Sequence, residues 1–146
     1  MPAVSASFSG NVTEQKAFAI SDESNHALML AQVTATQKSS DQNWDNATIN
    51  YWGFADVVDG QGTQHGYFAN SRGSDDRDWG TFEGKVAPAN GEISVEGTWQ
   101  ITNGSGRFKG ITGNGTFSIR LDSGGNVEGS WQGNYDVPAR IAQHAG

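Results

Sequence analysis

The chain has 146 residues, no cysteine and a formal net charge of −7, its nine basic residues scattered singly. That length suits one domain able to bury its own core, and the missing cysteines exclude disulfides, thiolate nucleophiles and zinc–cysteine sites. Without a Lys/Arg cluster, neither nucleic acid nor an anionic membrane is an expected partner. No basic–apolar leader opens the sequence, and no apolar run approaches the roughly 20 residues of a membrane helix. With the cysteine-free composition, this reads as a cytoplasmic protein.

In chain order, the first 20 residues hold one expected strand, between Ser7 and Ile20, broken or bulged near Gly10. Residues 21–25 are polar turn chemistry. Residues 26–38 alternate, with Ala27, Met29, Ala31, Val33 and Ala35 opposing His26, Leu28, Leu30, Gln32 and Thr34. Alternation places successive side chains on opposite faces of a strand, and the threonine-rich end favours strand over helix. In the loop 39–46, Asp41, Asn43 and Asp45 imitate the first three ligands of an EF-hand. Asn46 stands where the turn glycine belongs and Trp52 where the bidentate glutamate belongs, so no metal is expected.

Residues 47–58 form the next strand, with Tyr51, Trp52, Phe54, Val57 and Val58 spread over both faces. One core face cannot absorb them all, which predicts a homo-oligomer, a dimer or trimer. A glycine turn at 59–62 leads to a returning strand, 63–70, carrying His65 and Tyr67 on one face and Phe68 on the other. Residues 71–79 read as a charged loop, 80–86 as a strand and 88–91 as a turn.

Two further strands share a near-repeat, Val95-Glu-Gly-Thr-Trp-Gln100 and Val127-Glu-Gly-Ser-Trp-Gln132. In the first, Ile93, Val95, Trp99 and Ile101 share a face; in the second, Val127, Trp131 and Tyr135 do. Residues 113–121 lie between them, and the tail 138–146 has no partner pattern and is expected to fray. Glycines recur inside these strands (Gly53, Gly66, Gly84, Gly97, Gly129, Gly133), where they mark bends or close backbone approach. About eight glycine-curved strands joined by short turns describe an all-β, single-domain, antiparallel up-and-down barrel, its core spanning about residues 7–137. An open sandwich is the runner-up.

The run Gly104-Ser-Gly-Arg-Phe-Lys-Gly-Ile-Thr-Gly-Asn-Gly-Thr-Phe117 resembles a signature of the barrel superfamily of allene oxide cyclases and dirigent proteins, closest to an uncharacterised bacterial group within it. Asp56-Val-Val-Asp-Gly-Gln-Gly-Thr-Gln-His-Gly-Tyr67 and residues 79–86 resemble the same group, and the likeness spans roughly residues 26–137. It implies a calycin-like barrel and oligomeric relatives. It implies no single function, since that superfamily uses one barrel for cyclisation and for templating radical coupling. No catalytic residue of either kind maps onto this sequence.

Three functions follow as expectations. The favoured one is a barrel whose lumen binds a small apolar molecule, with Trp52, Phe54, Trp79, Trp99 and Trp131 as candidate ligand-contacting residues and Trp44 beside a loop at the mouth. The second is a cofactor-free cyclase or isomerase. His65 and Tyr67, two residues and about 7 Å apart on a shared face, would move protons there, with Asp56 as a third candidate on the face of Trp52 and Phe54. The third is a barrel filled by its own side chains that acts only through its outer surface. No cofactor or metal motif survives inspection, and Asp75, Asp76 and Asp78 read as a solvated loop paired with Arg72 or Arg77.

Overall fold

Burial alternates residue by residue through nearly every strand, so each strand presents one face to a core and the other to water. The computed structural model describes residues 3–73 and 75–138. Eight strands follow one another: β1 (Ala3–Ile20), β2 (His26–Ser39), β3 (Thr48–Val58), β4 (Gln61–Arg72), β5 (Asp76–Ala89), β6 (Glu92–Ser105), β7 (Thr112–Leu121) and β8 (Asn126–Asp136). Each pairs antiparallel with its neighbours, and β8 returns to β1 to close an up-and-down barrel. The expected frayed tail lies, from residue 139 on, outside the described residues. Among the described residues no helix is long and apolar enough to cross a membrane.

The turns are set by residues that accept positive φ. Asp59-Gly60 (φ 55° and 79°) and Asn90-Gly91 (φ 53° and 84°) make two-residue hairpin turns whose twist matches the flanking strands. Two expectations need correction. Gly10 does not break β1; it pairs with Ala35 on one side and Val127 on the other. The irregularity lies between Val12 and Glu14, where the extra residue Thr13 flips the side-chain parity. The charged loop at 71–79 is also mostly strand, because β4 and β5 run into it and leave only 73–75 between them. Within it Asp78 is buried against Arg72, while Asp75 and Arg77 stay exposed.

The register reveals how the wall is built. Followed round the barrel from Ala19 through Ala27, Val57, Gly62, Val86, Val95, Ile119 and Gly129, it returns to β1 at Phe8. That is eleven residues earlier, one of them the bulge residue, hence a shear of ten for eight strands. Such a shear implies strands tilted by about 40°. It also leaves the Thr13–Ile20 end of β1 standing above the β7–β8 turn, paired to β2 alone.

Side chains fill the interior in layers. Val57, Val86, Val95 and Ile119 lie on one register line toward the 59–60 turn. In the middle, Phe8, Tyr51, Phe82 and Phe117 pack edge to face in sequence, with ring centroids 6.3, 5.7 and 5.6 Å apart. The glycines make room for these rings: a Cβ on Gly129 would meet the Phe8 ring at 2.4 Å, and one on Gly66 the Phe82 ring at 2.6 Å. Where strands rather than rings converge, Gly97 faces Gly84, and a Cβ there would stand 1.9 Å from the Glu83 carbonyl oxygen.

The far end is polar and then plugged. Buried Gln37 donates to Asn70 (2.9 Å), Asn70 donates to Asp78 (3.0 Å), and Trp131 Nε1 donates to Gln37 (2.7 Å). Trp44, Phe108 and Ile111, each at most 1% exposed, close the barrel over this layer.

Candidate functional site

The barrel interior leaves a cavity of about 50 Å³, ringed by side chains such as Phe8, Tyr51, Phe82, Trp99 and Trp131. Ligand pockets start near 300 Å³. The outer surface is different. Among the described residues the exposed large hydrophobics are Phe18 and Tyr67 (66% each), Leu30 (50%), Phe54 (48%) and Trp52 (39%). All five stand on the outer face of β1–β4. Register aligns them in three adjacent rungs: Phe18–Leu28–Asp56, Leu30–Phe54–His65 and Gln32–Trp52–Tyr67.

The sequence-derived candidates divide between inside and outside. His65 and Tyr67 do share a face of β4, but it is the outer one, and both are exposed. Phe68 sets this parity: its ring is buried, so Gln64 and Gly66 point inward with it and the odd-numbered neighbours point out. Asp56 shares the outer face of Trp52 and Phe54, and it bonds to His26 rather than to His65 or Tyr67. Trp52 Nε1 donates to Gln32 Oε1 at 2.8 Å, which holds the indole against the wall.

Trp79 is half-buried on the outside of β5 with the Arg77 guanidinium 5.9 Å from its ring. Trp99 and Trp131 are inside, edge to face at 5.3 Å, and Trp44 is a core plug rather than a rim residue. Asp76 pairs with Arg107 and Asp78 with Arg72, while Asp75 is exposed and in neither ion pair.

Sequence reasoning missed Phe18, Leu30 and His26. Leu28 and Leu30 on the otherwise polar side of β2 were a visible signal. Phe18 had none, because the bulge at Thr13 inverts its face. His26 lies at the hairpin base, its Nδ1 2.6 Å from Asp22 Oδ1 and its Nε2 2.7 Å from Asp56 Oδ1. A neutral imidazole has one N–H, so only the imidazolium satisfies both carboxylates. The ring thereby ties the β1–β2 turn to β3, with Glu23 and Asp59 as further nearby acids on the two turns.

The hydrogen bond to Asp22, then that to Asp56, raises the His26 pKa above its ordinary 6.5. The hydrogen bond from His26 lowers Asp22 below 3.8. A raised folded-state histidine pKa gives stability that is complete below the unfolded value and lost as pH rises through the folded one. A lowered aspartate pKa gives stability present above the unfolded value and lost as pH falls through the folded one. The clamp is therefore strongest between about pH 4 and 6.5. The unfolding midpoint of the wild type should exceed that of His26→Gln most in this window, with the gap shrinking as pH rises through the raised folded-state value. A gap constant with pH would contradict the doubly bonded imidazolium.

Beside the aromatic wall runs a groove of about 910 Å³ across β3–β7, into which Trp52, Phe54 and Tyr67 project from one side. Its opposite side continues the same rungs: Glu83, Thr98 and Thr116 after His65, and Thr81, Gln100 and Asn114 after Tyr67. Fold and surface together define a filled, closed β-barrel whose accessible chemistry is on its outer wall. No protein-family model matches the chain, and neither a curated protein nor a solved structure matches it. The likeness to the allene oxide cyclase and dirigent superfamily rests on the sequence motifs alone.

Proposed function

We propose that the protein is a self-associating barrel module that works through its outer surface. The observation carrying this reading is the segregation of every exposed large apolar side chain, among the described residues, onto the β1–β4 wall. Contiguous apolar surface of this kind on a water-soluble barrel marks an interaction site rather than chance exposure. The anchors are Phe18, Leu30 and Phe54, clustered where the β1–β2 hairpin stands above its neighbours. Trp52 and Tyr67 lie one rung further along, at the border of the groove. A lumen that binds a small apolar molecule, or cyclises one, would have to work in about 50 Å³, and is the weaker reading.

The wild type should sediment as a dimer or trimer at micromolar concentration. Phe18→Ser with Leu30→Ser should shift it toward monomer while leaving the circular dichroism spectrum unchanged, since both side chains are at least half exposed. A wild type that stays monomeric throughout the micromolar range would end this proposal.

A further inference from the structure

The outer wall carries two grooves of nearly equal size, and only one of them has an aromatic platform. The groove across β3–β7 has a volume of about 910 Å³ and is flanked by Trp52, Phe54 and Tyr67. The other, about 960 Å³, is lined by Ser5, Ser7, Lys38, Lys85, Ser118 and Ser130 among others, with no aromatic ring on its outer side. The aromatic groove faces its rings with a neutral polar half: Thr81, Thr98, Gln100, Asn114 and Thr116. None of these five makes a side-chain hydrogen bond within the described protein, so their donors and acceptors are all available to a ligand.

This pairing selects one ligand chemistry. A fatty or fully apolar ligand would leave the amide and hydroxyl half uncompensated where it excludes water. An anion would meet Glu83, no cationic side chain in the groove and a chain of net charge −7. A sugar ring has a face of C–H groups for an aromatic ring and a rim of hydroxyls for amides and hydroxyls. The rungs run in register across five strands, from Trp52 to Asn114, about 19 Å at the usual strand spacing. We infer that the β3–β7 groove binds a neutral, linear oligosaccharide, its rings stacked on Tyr67 and Trp52 and its hydroxyls bonded to Gln100, Asn114 and the threonines. Phe54 borders both surfaces, but the rings and polar groups assigned to the sugar (Tyr67, Trp52, Gln100, Asn114 and the threonines) are distinct from the other self-association anchors, Phe18 and Leu30.

Calorimetric titration with cellopentaose, xylopentaose, maltopentaose and N-acetylchitopentaose tests it, with tryptophan emission as a second readout. At least one should bind saturably with Kd at or below about 1 mM, a weak but specific affinity. Tyr67→Ala should weaken that binding about three- to tenfold through the lost ring contact. Gln100→Ala should weaken it about two- to tenfold through lost hydrogen bonds. Ser130→Ala, in the adjoining groove that meets this one at Thr98 and Thr116 but carries no exposed ring, should change nothing. All three positions are exposed, and circular dichroism checks their folding. Failure of all four sugars to saturate overturns the inference, as does binding that neither Tyr67→Ala nor Gln100→Ala alters. Equal affinity for oligogalacturonate would overturn the assignment to neutral sugars. Unchanged sedimentation of Gln100→Ala keeps any loss of sugar binding separate from a loss of assembly.

Discussion

Asp78→Ala is expected to destabilise the protein by about 3–5 kcal/mol, the cost of leaving a buried charge without its partner. Asp78 is fully buried, and its carboxylate accepts from Arg72 Nη1 at 2.7 Å and Asn70 Nδ2 at 3.0 Å. Burial pushes its pKa up, while Arg72 and Asn70 pull it down. The arginine is held just as firmly. Its guanidinium lies 4.4 Å from the Trp44 ring centroid and 4.1 Å from that of Phe108, and its Nε donates to the Asn43 carbonyl. Removing the carboxylate strands this cation between two rings and leaves the Asn70 Nδ2 donor without its acceptor, while Asn70 Oδ1 still links through Gln37 to Trp131.

Urea unfolding measures the loss. A companion double variant, Asp78→Leu with Arg72→Met, should recover much of it, because replacing both members of a buried pair removes the uncompensated charge. A single-variant cost below about 1 kcal/mol would place the pair among solvent-screened bridges and contradict its burial.

Trp44→Ala should cost about 3–5 kcal/mol as well, by a different route. Trp44 is 1% exposed and packs edge to face on Trp131 (5.2 Å) and Tyr135 (5.4 Å), with Phe108 at 6.2 Å. It comes from the β2–β3 loop, yet it closes the end of the barrel and borders the internal cavity. Truncation would enlarge that cavity from above and leave it lined by aromatic rings, a dry apolar space of the kind that admits small hydrocarbons. The variant should thus lose stability and gain binding of a hydrophobic fluorophore, while the wild type binds none inside. Urea unfolding and fluorophore titration read the two effects separately. Stability loss without new binding would mean that the barrel end collapses onto the vacancy.

These two positions show how function and stability are divided in this barrel. The interior is committed to holding the wall closed, with rings over glycines, a polar layer and an indole plug. On the reading proposed above, interaction falls to the outer surface. Its apolar rungs near the β1–β2 hairpin and its half-aromatic groove across β3–β7 lie side by side, and the sedimentation and sugar-binding experiments address them one at a time.

Much of the fold was legible in the residues. Strand period is two, so Ile93, Val95, Trp99 and Ile101 had to share a face, and they do; so do Val127, Trp131 and Tyr135. Asp59-Gly60 and Asn90-Gly91 announced tight turns because few other pairs tolerate positive φ twice. Glycines repeated inside successive strands announced curvature, and eight short-linked strands announced closure. Alternation, however, separates two faces without saying which one is inside. For β4 that choice rested on a single buried ring, Phe68, and it carried His65 and Tyr67 outward.

Parity also fails wherever one residue is inserted. Thr13 inverts the end of β1, so Phe18 reached the surface against any simple count. The charged stretch around Asp78 looked solvated because charge ordinarily seeks water. Only pairing across β4 and β5, with Arg72 stacked between Trp44 and Phe108, made its burial affordable. Local pattern therefore determined the strands, the turns and the curvature, which depend on neighbours in sequence. The inside, the plug and the outer groove depend on contacts between residues far apart in the chain, and only closure of the barrel decided them.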